Sequence, residues 1–249
     1  MYYSDTEYEI FSRLFILNEF SEKNLLKLSK IKVGVVGIGG IGCPLTQYLV
    51  NSGIKELKIA DGDIVEKSNL NRQILFNFND IGKKKVDIAK EKLQLINPYC
   101  KINVIDEKIN TKNLKSLSDC SIIVDATDDW KTSKLLNEYC VNNCINFLYS
   151  SALKHDVQII LFKNVENNKH VCLNCIFPNH NDVDLPRCET VGISGISSGL
   201  AGLMTAQKII NFYLNLKDET NIMTISDGKK LSIDNIIIKS KHDCYLKSV

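Results

Sequence analysis

Apolar and polar positions follow two rhythms along this chain: short continuous apolar runs, and longer stretches with apolar residues every three or four positions. The runs at 31–36, 57–60, 101–105, 121–124 and 146–150 have the length of buried strands. Between them, 41–51, 83–96, 111–117 and 131–143 carry helical spacing, with Gly53 closing the first. Strand and helix taking turns predict an α/β fold, a mostly parallel sheet with helices on both faces. Ahead of the first strand, Ile10, Phe11, Leu14, Phe15 and Leu17, then Leu25, Leu26 and Leu28, predict two amphipathic helical pieces, with Ser21 as the cap between them.

From residue 156 the pattern changes. A strand at 157–162 leads into a turn-rich region, a polar loop at 179–189 and a last long helix over 193–213. Along that helix Gly195, Gly199, Gly202 and Ala206 recur every three or four residues, which lets another element approach one face closely. Ser194, Ser197, Ser198, Thr205, Gln207 and Lys208 interrupt it, so it reads as a buried helix and not a membrane span. Runs at 222–226 and 232–239 add a smaller C-terminal sheet region. The expected organisation is one folded domain in three parts: a helical segment at 1–30, a part of alternating strands and helices at 31–155, and a C-terminal part at 156–249.

Composition narrows the function. With 249 residues and 44% hydrophobic content, the chain can bury a substantial core. Thirty-one basic against 29 acidic residues leave a net charge of +2, so nothing in the overall charge favours nucleic acid or an anionic membrane. The polar, acidic N-terminus lacks the basic start and apolar run of an export signal, and a cytoplasmic location is expected. Nine cysteines suit a reducing compartment better than a disulfide framework. Cys43, Cys100, Cys120, Cys140 and Cys144 sit in apolar patterns as small hydrophobes. Cys172, Cys175, Cys188 and Cys244 remain for metal or thiol chemistry.

The first chemical motif is the turn Gly37-Ile38-Gly39-Gly40-Ile41-Gly42, between a strand and a helix, where backbone N–H groups can hold phosphate. With Asp61 ending the next strand it fits a Rossmann-like dinucleotide fingerprint, and this alone does not separate NAD from ATP. The residues after that strand are harder to reconcile with hydride transfer. Asp61-Gly62-Asp63 and Ser68-Asn69-Leu70-Asn71-Arg72-Gln73 precede Lys85, and two cations near a nucleotide site suit a triphosphate. Asp125-Ala126-Thr127-Asp128-Asp129 puts acids at a strand's C-terminal end, where open α/β sheets bind ligands and a carboxylate can hold magnesium. The plainer reading makes Arg72 and Lys85 solvated charges and Asp128 the cap of the helix at 131–143.

Taken together, and with Ile96-Asn97-Pro98 and Cys172-Leu173-Asn174-Cys175, these motifs resemble the ThiF/MoeB/HesA family, bacterial relatives of the ubiquitin-activating enzymes. The resemblance runs from Arg13 to Cys244. It implies an ATP-dependent adenylyltransferase that activates the C-terminal carboxylate of a small ubiquitin-like sulfur-carrier protein, ThiS- or MoaD-like. By resemblance, Asp61 would bind the ribose and Arg72 and Lys85 the phosphates, with Asp128 on Mg2+ and Asp63, Asn69 and Gln73 nearby. Arg13 would reach ATP from the neighbouring subunit of a homodimer. Family members pair the first Cys-x-x-Cys with a second, but here Lys247 follows Cys244, so either His242 joins Cys172, Cys175 and Cys244 on Zn2+ or no zinc is bound. Cys188, beside Arg187, matches a cysteine that in some members forms a thioester or disulfide with the carrier. Other readings are adenylation of a short ribosomal peptide in microcin-type biosynthesis, an NAD-dependent dehydrogenase, and a non-catalytic binding module.

Overall fold

The apolar runs become strands close to where the pattern places them: β1 (Lys32–Val36), β2 (Glu56–Ala60), β3 (Lys101–Ile105), β4 (Ile122–Asp125), β5 (Asn146–Leu153), β6 (Asp156–Phe162), β7 (Ile222–Asp227) and β8 (Ser232–Ile237). The computed structural model describes residues 3–164, 171–178, 191–217 and 220–239. All eight strands form one sheet in the order β3-β2-β1-β4-β5-β6-β7-β8. The block from β3 to β5 is parallel throughout. β6, β7 and β8 join it antiparallel, so the C-terminal sheet region is an extension of the same sheet. Chain order reverses between β1 and β4, which makes the C-terminal ends of these strands the topological switch point where such sheets bind ligands.

Helices α1 (Asp5–Ile10), α2 (Glu22–Leu28), α3 (Gly42–Val50), α4 (Lys85–Ile96), α5 (Trp130–Asn142), α6 (Leu173–Ile176) and α7 (Gly195–Leu214) cover the sheet. Side chains alternate along a strand, and here both faces are buried. Val33 and Val35 of β1, Ile122 and Val124 of β4, and Leu148 of β5 join one core with Leu25, Leu45, Leu49, Leu93 and Ile209. Val36, Ile123 and Phe147 point the other way, into a second core with Leu117, Leu136, Cys140, Phe162 and Leu173. Each fully buried Leu or Ile contributes roughly 1.5–3 kcal/mol.

Four local expectations change. The first amphipathic piece, read across Ile10 to Leu17, is α-helical only over Asp5–Ile10 and continues as 3-10 turns at Leu14–Ile16 and Asn18–Phe20. Of the helix predicted over 111–117, only a 3-10 turn at Leu114–Leu117 forms. Asn113 Oδ1 accepts from Asn110 N–H (2.8 Å) and Asn110 Oδ1 from Lys112 N–H (2.9 Å), and such side-chain bonds compete with the helical ladder. Ser21 stands at the N-cap of α2 without a side-chain capping bond; its carbonyl accepts from Asn24 and Leu25 instead. Cys43, Cys100, Cys120 and Cys140 are buried as expected, but Cys144 is exposed. It follows the end of α5 with φ +55°, a left-handed residue in the turn between α5 and β5, and so leaves the apolar face.

Candidate active site

The turn between β1 and α3 is built by steric exclusion. Gly37 has φ +93°, closed to most side chains, and a Cβ there would stand 2.8 Å from the Ala126 carbonyl oxygen. A Cβ on Gly40 would stand 2.8 Å from Ser198 Oγ of α7, and one on Gly42 only 2.1 Å from the Gly37 oxygen. The turn is thus pressed between the end of β4 and the first residues of α7. Gly39 meets only Gln73 Nε2, at 3.8 Å, and opens onto a cleft.

That cleft has a volume of about 910 Å³ and lies over the carboxyl ends of β1, β2 and β4. It gathers Gly37, Gly39, Gly40, Asp61, Asp63, Asn69, Arg72, Gln73, Lys85 and Asp128, residues spread over more than ninety positions of sequence. Of the residues predicted for the nucleotide site, two do not line it. Gly42 sits inside the turn as a packing position, and Arg13 is exposed between α1 and the 3-10 turn at Leu14–Ile16.

Asp61 braces the turn. Its Oδ2 accepts from Ile38 N–H (2.7 Å) and its Oδ1 from Asp63 N–H (2.8 Å), while burial raises its pKa against the opposing charge of Lys85. A carboxylate has about four acceptor positions, so two remain for a ligand's hydroxyls. Lys85 is buried at 5% exposure and donates to Asp63 Oδ2 (3.3 Å), which is incompatible with a merely solvated lysine. Arg72 is half-buried, and its Nη1 donates to Ser68 O (2.8 Å) and Asn71 Oδ1 (3.1 Å). Gln73 is buried with an Oε1 that has no hydrogen-bond partner among the described residues. A buried, unsatisfied acceptor costs about 1–3 kcal/mol, so a ligand that donates to it would be favoured.

The acidic run after β4 separates into three roles. Asp125 is fully buried, and its Oδ1 accepts from Thr127 N–H (3.0 Å) and Oγ1–H (2.7 Å), folding the turn. Asp129 caps α5 by accepting from Thr132 N–H (3.0 Å). Asp128, which the plainer reading made the cap, is free of that duty, exposed, and lines the cleft.

Several lining residues escaped the sequence reading. Lys108, beyond β3, pairs with Asp63 Oδ1 at 3.1 Å; its place after a strand's carboxyl end was the available signal. Over β5 and β6 the cleft is lined by Tyr149, Ser151 and Gln158, with Trp130 packed edge-on to Tyr149 (6.2 Å) and Phe177 (5.5 Å). Nothing in their spacing marks them.

Burial pushes the Cys43 and Cys100 thiols up to about 12, which removes both from thiolate chemistry. Cys172 and Cys175 are buried with their sulfurs 3.8 Å apart. Cys188, Cys244 and His242 lie outside the described residues. Among the described residues, no three His, Cys, Asp or Glu side chains group for a metal, and no helix is long and apolar enough to cross a membrane.

A doubly wound sheet with a glycine turn, an acid ending β2 and cations facing a cleft at the switch point define an α/β protein of the doubly wound class, with its ligand cleft where such sheets bind. The chain belongs to the ThiF family, whose model matches residues 11–246. It is 33% identical over 242 residues to the adenylyltransferase and sulfurtransferase MOCS3-1 of Drosophila pseudoobscura pseudoobscura, across 96% of this chain and 53% of that protein. It is 32% identical to MOCS3 of Culex quinquefasciatus, across 97% and 55%. The chain thus spans about half the length of these relatives. In fold it is similar to E. coli MccB solved with ATP, with a TM-score of 0.82 at 22% identity, covering 95% of this chain and 74% of that one. PaaA gives a TM-score of 0.79 at 20% identity, covering 95% and 75%.

Proposed function

We propose that this chain is an ATP-dependent adenylyltransferase acting on the C-terminal carboxylate of a small ubiquitin-like carrier protein. One observation carries the reading: in a ThiF-family chain, a single cleft brings Arg72, Lys85, Asp61 and Asp128 around the glycine turn. In the reaction a carboxylate oxygen bonds to the α-phosphorus while the bond from that phosphorus to the bridging oxygen breaks. The electron pair leaves with pyrophosphate, and an acyl-adenylate remains. The attacking carboxylate is already ionised at neutral pH, so no general base is needed. The obstacle is repulsion between two anions, and catalysis is positioning plus charge stabilisation.

The residues divide that work. The turn's N–H groups and the start of α3 would receive phosphate, and Asp61 the ribose hydroxyls. Lys85 and Arg72 would stabilise charge moving onto pyrophosphate. Asp128 suits Mg2+ as an exposed oxygen donor at a strand's carboxyl end, and that ion would supply further charge neutralisation. With the nucleotide over β1 and β2, the part of the cleft over β5 and β6, by Tyr149, Ser151 and Gln158, is left for the acceptor's tail. Cys188 would serve a later thiol step. For Zn2+, the 3.8 Å between Cys172 and Cys175 sulfurs suits two corners of a tetrahedron with bonds of about 2.3 Å. Cys244 and His242 would supply the rest.

A carrier protein that feeds sulfur transfer is favoured over a short peptide because the relatives named adenylyltransferase and sulfurtransferase are 32–33% identical, while MccB, described as a microcin C7 biosynthetic enzyme and solved with N-formylated MccA, is similar at 20–22%. A dehydrogenase would leave Arg72, Lys85 and Asp128 without a task. The test is exchange of labelled pyrophosphate into ATP with candidate carriers ending in Gly-Gly, and with peptides. Exchange with a carrier is expected, Asp128→Ala lowering it on the order of 10²-fold while Cys188→Ala retains it. Exchange with peptides alone would transfer the reading to the peptide class, and NAD binding without exchange would overturn it.

A further inference from the structure

Among the described residues lining the cleft, one cation, Lys108, stands outside the sequence motifs. Asp63 is shared: Lys85 Nζ lies 3.3 Å from its Oδ2 and Lys108 Nζ 3.1 Å from its Oδ1. Lys85 is tied to Asp63 twice, because its backbone N–H also donates to the Asp63 carbonyl at 3.0 Å. Lys108 is held close by Gly62, where a Cβ would stand 2.7 Å from the Lys108 nitrogen. The two lysines differ in setting: Lys85 is buried, whereas the Lys108 side chain is 78% exposed. Asp61 and Asp128 also act on Lys108 through their charges.

Asp63 alone would neutralise Lys85, and a triphosphate would meet a closed ion pair with no net charge. With Lys108 on the second oxygen the trio carries one net positive charge, and Lys85 keeps ammonium hydrogens to offer a phosphate. Resting on the reading of the cleft as an ATP site, we propose that Lys108 is a positioning residue which, by occupying Asp63, releases the buried Lys85 for the nucleotide's phosphates.

A double-mutant cycle separates this from direct contact with the nucleotide. Binding of α,β-methylene-ATP with magnesium is measured by calorimetry for the wild-type chain, K108M, K108R, D63N and D63N/K108M, with urea midpoints to check folding. K108M takes the trio's net charge to zero, and D63N/K108M restores it to one. K108M should weaken binding about tenfold, the exposure of Lys108 limiting the effect through solvent screening. K108R should bind like wild type, and D63N/K108M should return to within about threefold of it, because Lys85 is then free of its ion pair with residue 63. Loss in D63N/K108M as deep as in K108M would overturn the proposal, since Lys108 would then act without Asp63. Unchanged binding by K108M beside normal wild-type binding would remove the proposal alone. No binding by the wild-type chain would remove it together with the ATP reading.

Discussion

Asp125 shows how much one buried carboxyl can contribute. Burial pushes it up to about 6, against the hydrogen bonds from Thr127 that favour its ionised form. An unfolded chain releases the same proton near pH 3.9, so between about 4 and 6 the native state holds a proton that the unfolded state has lost. This group's contribution to stability therefore falls as pH rises through that window, by about 3 kcal/mol in all. Asp125→Asn keeps an acceptor for Thr127 and never ionises. From pH 4 to 7, urea unfolding should show its stability relative to wild type rising by about 3 kcal/mol. Parallel pH profiles would contradict this. The sequence displays three acids within five residues but not their roles, because the turn that Thr127 and Asp125 form decides which is buried, which caps α5 and which faces the cleft. Lys85 was equally ambiguous until its burial was known.

Between elements, α7 comes close to the Asn71 segment, the glycine turn and α3. A Cβ on Gly195 would stand 2.5 Å from the Asn71 carbonyl oxygen, and one on Gly202 2.5 Å from that of Ile41 and 2.6 Å from Pro44 Cγ. Gly199, in the same periodic stripe, has nothing within 4 Å among the described residues. The stripe announced a close approach, but which of its members made it depended on how α7 lies across α3. The contrast gives paired variants. Gly202→Ala should destabilise by about 1–3 kcal/mol, because backbone has to move apart. Gly199→Ala should stabilise by roughly 0.5–1 kcal/mol through helix propensity alone. At this chain length, 1 kcal/mol corresponds to about 2–4 °C in Tm, so differential scanning calorimetry resolves both signs. Equal effects would mean that α7 does not seat on α3 as described. Elements with long, strong periodicity were legible to within a few residues, α4 and α5 among them. The predicted helix at 111–117 was not, because asparagine side chains took the backbone groups a helix would use.

At the scale of the molecule, the sheet's reversal between β1 and β4 explains why residues from Gly37 to Asp128 meet in one cleft, and why the alternation of strand and helix already located it. Arg13 lies outside its own chain's cleft, as expected of a side chain that would reach the nucleotide of a neighbouring subunit. Around it Ile10, Ile16 and Leu17 are 48%, 69% and 50% exposed, apolar surface of the kind an interface covers. If a second copy docks there and delivers Arg13, the two variants Arg13→Ala and Asp128→Ala fail for different reasons and should complement. Each homodimer lacks an essential group in both sites. A mixed dimer pairs the intact Asp128 of one chain with the intact Arg13 of the other, in one of its two sites. When equal amounts are unfolded together and refolded, half the dimers are mixed, so about a quarter of wild-type pyrophosphate exchange should return. Arg13 acting within its own chain predicts no recovery, since every site would then lack either the arginine or the aspartate.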